Sequence, residues 1–215
     1  MIKAYVFDFE GTLVDFQWNL DDGMKATRAK LEEMGFDKEK VMKTESYAKI
    51  YNDAVIDALM RRVALSSSEV REKLGELWDY WDLDAATRWQ LRENAKDTLS
   101  RLQQRAAVGL YTSVGRKAVM KVLERYEIDK LFHVLITRDD TTLIKPYNEG
   151  LRLILDFLGI SPREMLFIGD SVKDVAAAEA IGAQSAFLVG GEQELPPNVK
   201  PDHIIHSMSD ILKIK

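Results

Sequence analysis

Hydrophobic positions along this chain follow two patterns, and the change between them falls near residue 90. From residue 16 onward they recur at helical spacing. Val70, Leu74, Leu77, Trp78 and Trp81 sit at i, i+4, i+7, i+8 and i+11, one face of a helix. Ala48, Tyr51, Val55, Ala58 and Leu59 make a second stripe, and Met24, Thr27, Leu31 and Met34 a third, weaker one. The same stretch has no proline, and its only glycines are Gly23, Gly35 and Gly75, so little in it breaks a helix. Ser66 with Glu69 reads as a capping box opening the Val70 helix. The pattern predicts a bundle of about four helices over residues 16–86.

The flanking sequence has a different grammar. Short apolar runs at Ile2–Phe7, Ala106–Tyr111, Val134–Ile136, Met165–Ile168 and Ser185–Val189 read as strands buried on both faces. A further short strand at His203–His206 belongs at an edge. Amphipathic helices lie between them, marked by Val119, Val122, Leu123 and Tyr126, then by Leu151, Ile154, Leu155 and Leu158. Strands alternating with helices predict an α/β fold with a mainly parallel sheet. The helical block interrupts that fold just after its first strand.

Composition narrows the function. The 215 residues are 46% hydrophobic and 30% charged, enough apolar material for a core. A formal charge of −5 argues against a nucleic-acid partner, which would show as a basic excess. The absence of cysteine excludes disulfide scaffolds, thiolate metal centres and thiol nucleophiles. No apolar run approaches the ~20 residues of a membrane helix, and the N-terminus meets acids at Asp8 and Glu10 instead of a signal-type run. The expectation is a soluble, cytoplasmic protein with no membrane partner.

In a parallel sheet, ligands bind at the carboxyl ends of the strands, where strand order reverses. The strand-end residues here form a set. Asp8-Phe9-Glu10-Gly11-Thr12 places two carboxylates at a glycine turn, Thr112 and Ser113 are paired hydroxyls, and Asp170 and Asp174 are two more acids. Lys145-Pro146 ends a loop before a helix. Each has a plainer reading: Asp8 as a turn acid, Thr112 as a strand-end hydroxyl, Lys145 as a solvated lysine. Ser171 with Asp174 fits a helix cap, as Ser161 with Glu164 does where no chemistry is expected. Their order along the chain is what separates them from coincidence.

The set Asp8-x-Glu10-Gly11-Thr12, Thr112, Lys145-Pro146 and Gly169-Asp170-x3-Asp174 resembles the four motifs of the haloacid dehalogenase superfamily. The likeness covers nearly the whole chain. It implies a Rossmann-like doubly wound parallel sheet as the core, residues 1–15 and 87–215, with residues 16–86 as an inserted α-helical cap domain. It also implies a Mg²⁺-dependent phosphatase acting on a small phosphoester through an aspartyl-phosphate. Asp8 would be the nucleophile and Glu10 the acid and base. Thr112, Ser113 and Lys145 would hold the phosphoryl group. Asp8, the Glu10 backbone carbonyl, Asp170 and Asp174 would serve the metal, Asp174 as a ligand through water or from behind the ligands. These types suit the chemistry: a carboxylate can form an acyl phosphate, and cations must offset its repulsion from the substrate.

One position departs from the family pattern. The second acid is usually aspartate in the family's phosphatases, and Glu10 carries the carboxyl ~1.5 Å further out. Such a displacement can cost ~100-fold if nothing else adapts. Asp-x-Glu-Gly-Thr also resembles the enolase-phosphatase branch, although Leu13 stands where that branch has a second threonine. The same fold also serves dehalogenase and phosphonatase chemistry, or a non-catalytic binding module. Cap residues Lys25, Arg28, Lys49, Arg61 and Arg62 are candidate anion contacts, and Trp18, Trp78, Trp81 and Trp89 read as core or cap-interface residues.

Overall fold

The protein is described by a computed structural model covering residues 1–215 except 38, 40–42, 44, 45, 191–193 and 215. After strand β1 (Ala4–Phe7), three described helices precede the next strand: α1 (Leu20–Glu33), α2 (Tyr47–Leu59) and α3 (Ser67–Ala86). Three of the about four expected helices lie among the described residues. The remaining elements are α4 (Ala95–Gln103), β2 (Ala107–Tyr111), α5 (Arg116–Arg125), β3 (Val134–Ile136), α6 (Glu149–Leu158), β4 (Met165–Gly169), α7 (Val172–Glu179), β5 (Gln184–Leu188) and β6 (His203–Ile205). Helix α4 is not predicted by the hydrophobic pattern. Its N-cap residue, Asn94, has a left-handed φ of 61° and makes no side-chain cap bond, so the usual start signal is absent. No helix among the described residues is long and apolar enough to cross a membrane.

All six strands are parallel, in the order β3-β2-β1-β4-β5-β6. The chain builds outward from β1 to β3, then returns to the other side of β1 and builds outward to β6. That reversal makes the carboxyl ends of β1 and β4 the switch point of the sheet. The register pairs Phe7 with Ile168, so Asp8 and Asp170 emerge side by side. Alternation within the strands explains their unbroken apolar runs. Tyr5, Phe7, Leu166 and Ile168 face one cluster, shared with α4 and α5. Val6, Met165 and Phe167 face the other, shared with α6 and α7.

The segments leading into and out of the helical insert are stitched together. Asp15 N donates to Gln90 O (3.1 Å) and Arg92 N donates to Leu13 O (2.8 Å). Within the insert, Trp78 Nε1 donates to Thr27 Oγ1 (2.9 Å), and Thr27 Oγ1 donates to Gly23 O (2.7 Å). A hydroxyl in an apolar stripe thus serves to tie α3 to α1. The Ser66–Glu69 capping box forms as the sequence predicts.

The insert grips the core through buried polar groups. Asn52, on α2, donates from Nδ2 to Ile144 O (3.0 Å) and accepts from Ile144 N at Oδ1 (2.9 Å). Asp82, on α3, lies 2.6 Å from the guanidinium of Arg138, which also reaches Asp79 at 2.7 Å. Asp82 accepts two further bonds, from Gly115 N (2.9 Å) and Trp18 Nε1 (3.0 Å). A Cβ at Gly115 would fall 2.5 Å from both the Arg138 guanidinium and Asp79 Oδ1, so glycine is what admits this pair.

Arg138 is only 2% exposed, and removing it leaves Asp82 as a buried charge without its counterion. Arg138→Met is expected to lower stability by ~3–5 kcal/mol, the range for breaking one side of a buried ion pair. Urea unfolding of the two proteins measures this, and a loss under about 1 kcal/mol would show that the pair contributes little.

Candidate active site

Asp8, Asp170 and Asp174 gather where β1 and β4 end, with Thr112 and Ser113 following the neighbouring β2. Asp8 follows β1, with its N–H donating to Ile168 O (2.8 Å). The turn after it needs Gly11: φ is +81°, and a Cβ there would lie 2.2 Å from Asp170 Oδ2. Thr12 Oγ1 donates to Asp170 Oδ1 (2.9 Å), fixing the carboxylate that β4 delivers. Thr112 and Ser113 follow β2, both buried, and Thr112 Oγ1 accepts from Val114 N (3.2 Å). Lys145 lies in the turn before α6 and not at its first residue, since the helix starts at Glu149.

Lys145 organises the acids. Its Nζ sits 2.5 Å from Asp8 Oδ1 and 2.6 Å from Asp174 Oδ1, and its side chain is 4% exposed. Asp174 caps a helix and meets Lys145 at once. Oδ2 accepts from Ser171 N (3.0 Å) and Ser171 Oγ (2.6 Å), capping α7, while Oδ1 takes the lysine. Oxygens of Asp8, Asp170 and Asp174 fall within 4.8 Å of one another, the spacing of a metal-ligand group. The Glu10 carboxylate is not part of that group.

Two of the three clustered buried carboxylates, Asp8 and Asp174, therefore share one ammonium. The Asp8 carboxyl is pushed up to about 7, chiefly by burial and further by the like charges of Asp174 and Asp170, against the pull of Lys145. Burial by itself would drive Lys145 down, yet Asp174 and Asp8 hold its pKa well above the usual lysine range, so it stays protonated. Burial is the main cause of the Asp8 shift, and the neighbouring carboxylates are the cause of the rise at Lys145. An oxygen-rich, over-negative cluster of this kind fits a hard divalent cation.

Glu10 is held where the sequence could not place it. Trp89 Nε1 donates to Glu10 Oε1 (3.0 Å), and Gln17 N donates to the same oxygen at 3.4 Å. Asp8, Glu10, Thr112, Ser113 and Lys145 line one cleft, which Trp18, Tyr47, Trp78 and Asp82 of the insert close. Trp18 and Trp78 are thus both core residues and walls of the cleft. None of Lys25, Arg28, Lys49, Arg61 and Arg62 lines it. Besides Lys145, the cation that does is Lys173, on α7, whose only sequence signal is its place inside the fourth motif.

The raised Asp8 carboxyl sets a pH dependence. Its pKa is 3.8 in the reference state and about 7 in the fold, so its protonated form contributes stability fully below about 3.8, lost as pH rises towards 7. Asp8→Asn lacks this loss. In EDTA, the stability of Asp8→Asn relative to the parent should grow steadily between about pH 4 and 7. Urea midpoints across that range measure it, and a constant difference would contradict the shift.

Known proteins share this architecture. A family model described as haloacid dehalogenase-like hydrolase matches residues 2–182. The chain is 31% identical to the phosphoglycolate phosphatase of Salmonella typhi over 237 aligned positions, covering 98% of this chain and 91% of that one. It is 39% identical to the Escherichia coli K12 phosphoglycolate phosphatase over 119 residues, 54% of this chain and about half (47%) of that protein's length. A Haemophilus somnus structure described as a predicted phosphoglycolate phosphatase superposes with a TM-score of 0.68 at 25% identity, covering 99% of this chain and 97% of that one. With its strand order and its matched residues in agreement, this chain belongs to the haloacid dehalogenase-like hydrolases.

Proposed function

We propose that this hydrolase is a Mg²⁺-dependent phosphatase of a small phosphorylated metabolite in the cytoplasm, working through an aspartyl-phosphate. The observation that carries this reading is the sharing of buried Lys145 between Asp8 and Asp174, with Asp170 completing the acidic group. The names of the relatives, phosphoglycolate phosphatases, support the same class. Residues 16–86 act as a cap over a core of residues 1–15 and 87–215, because they supply Trp18, Tyr47, Trp78 and Asp82 to the cleft.

Asp8 attacks phosphorus and the ester oxygen departs, taking a proton from Glu10. Water then attacks the acyl phosphate, giving its proton back to Glu10 and releasing inorganic phosphate and free Asp8. Lys145 holds Asp8 in place and faces the transferring group with a fixed positive charge. Thr112 and Ser113 supply neutral donors. Asp8, Asp170 and the Glu10 carbonyl would hold Mg²⁺, with Asp174 reaching it through water. When bound, the ion supplies the positive charge that offsets both the carboxylates and the phosphate. The Trp89 bond gives the longer Glu10 arm a fixed direction, as an adapted acid requires.

Phosphate release from a panel of monoesters, with and without EDTA, tests the reading. Turnover abolished by EDTA and restored by Mg²⁺ is the expected result; absent or metal-independent turnover sinks it. Glu10→Gln should lower kcat by about 10²–10⁴-fold on an alkyl phosphate. With p-nitrophenyl phosphate, whose leaving group needs little protonation, the same variant should show a burst of nitrophenolate as phosphoenzyme accumulates. Unchanged kcat on the alkyl ester would remove Glu10 from the mechanism.

A further inference from the structure

Lys173 is the residue of the cleft that the mechanism leaves without a task. It occupies the first turn of α7, three residues from Asp170, and lines the cleft beside Asp8 and Lys145. Its Nζ donates to Tyr47 Oη at 3.0 Å and lies 4.3 Å from the centre of the Tyr47 ring. Among the described residues it makes no ion pair with a carboxylate. The other cations near the cleft are committed: Lys145 to Asp8 and Asp174, Arg138 to Asp79 and Asp82. A half-buried ammonium beside aromatic walls, with one of its three donors on a neutral hydroxyl, retains capacity for an anion.

We propose that Lys173 is a specificity-determining residue, binding an anionic group carried by the substrate's leaving group. This rests on the phosphatase reading and deepens it. The phosphoryl group belongs to Asp8, Lys145, Thr112 and Ser113, so the ammonium that Tyr47 steers is available to the departing half. The remaining walls select against an anion elsewhere, since Glu10 and Asp82 present carboxylates and Trp18 and Trp78 present rings. The class is therefore a small phosphate ester or anhydride whose leaving group bears a carboxylate or a second phosphate. Lys173 binds this group; it takes no part in proton or phosphoryl transfer.

The experiment compares kcat/KM for three substrates: 2-phosphoglycolate, with a carboxylate on its leaving group; pyrophosphate, with a phosphate; and p-nitrophenyl phosphate, with neither. In the parent, at least one anionic substrate should exceed p-nitrophenyl phosphate, and which one does distinguishes carboxylate from phosphate. Lys173→Gln should lower the anionic-to-neutral ratio by about 10- to 100-fold, mainly through KM, as loss of a charge-assisted bond would. Lys173→Arg, which keeps the charge, should restore most of that ratio. An unchanged ratio in Lys173→Gln, or a parent that prefers p-nitrophenyl phosphate, overturns the assignment while leaving the phosphatase reading intact. So does a loss matched by a raised Mg²⁺ requirement, which would trace it to Asp170 and Asp174. Absence of turnover on every ester would overturn both readings.

Discussion

A single buried ammonium decides how the switch point of this sheet can be built. Lys145 lies between Asp8 and Asp174 at 2.5 and 2.6 Å, and no arrangement of three buried carboxylates would persist without a cation among them. The surrounding geometry follows from that need. Parallel strands β1 and β4 bring Asp8 and Asp170 out side by side, a left-handed Gly11 leaves space for Asp170, and Thr12 fixes it with a hydroxyl. The cluster is still over-negative after Lys145 is counted, which is why burial and like charge raise Asp8. That imbalance suits the cluster to a further cation.

The helical insert is joined to this centre by polar bonds more specific than its apolar packing. Asn52 pairs with both backbone groups of Ile144, the residue before Lys145. Asp82 takes the N–H of Gly115, while Arg138 N donates to Val114 O, so the segment after Thr112 and Ser113 is held from both sides. Tyr47 meets Lys173, the residue before Asp174. Three of the segments that line the cleft are thus each touched by one buried or half-buried polar residue of the insert. Docking of the insert and organisation of the site are physically one event.

Much of this was legible in the chain. Continuous apolar runs marked strands buried on both faces, the 3.6-residue stripes marked α2 and α3, and the spacing of acids, hydroxyls and lysine marked the strand ends that carry chemistry. Helix α4 was not legible, because Asn94 starts it in a left-handed conformation without a cap bond. Asp174 was ambiguous between cap and site, and the fold shows why: one oxygen caps α7 and the other meets Lys145. The cap cations singled out from charge alone lie outside the cleft, since a charged helix face gives no indication of which side meets a distant loop.

The sequence by itself determined which residues stand at the carboxyl ends of the strands, because alternation of strand and helix and the placement of glycine are local properties. It also determined the types of chemistry those residues can perform. Only the tertiary structure decided which polar side chains from the insert reach them. The Trp89–Glu10 bond spans 79 positions, the Asn52–Ile144 pair 92, the Asp82–Arg138 pair 56 and the Lys173–Tyr47 contact 126. Nothing in a periodicity or a local motif encodes a partner so far along the chain. Those contacts form because a buried polar group must find a partner once water is excluded, and that demand arises only after the insert has packed onto the sheet.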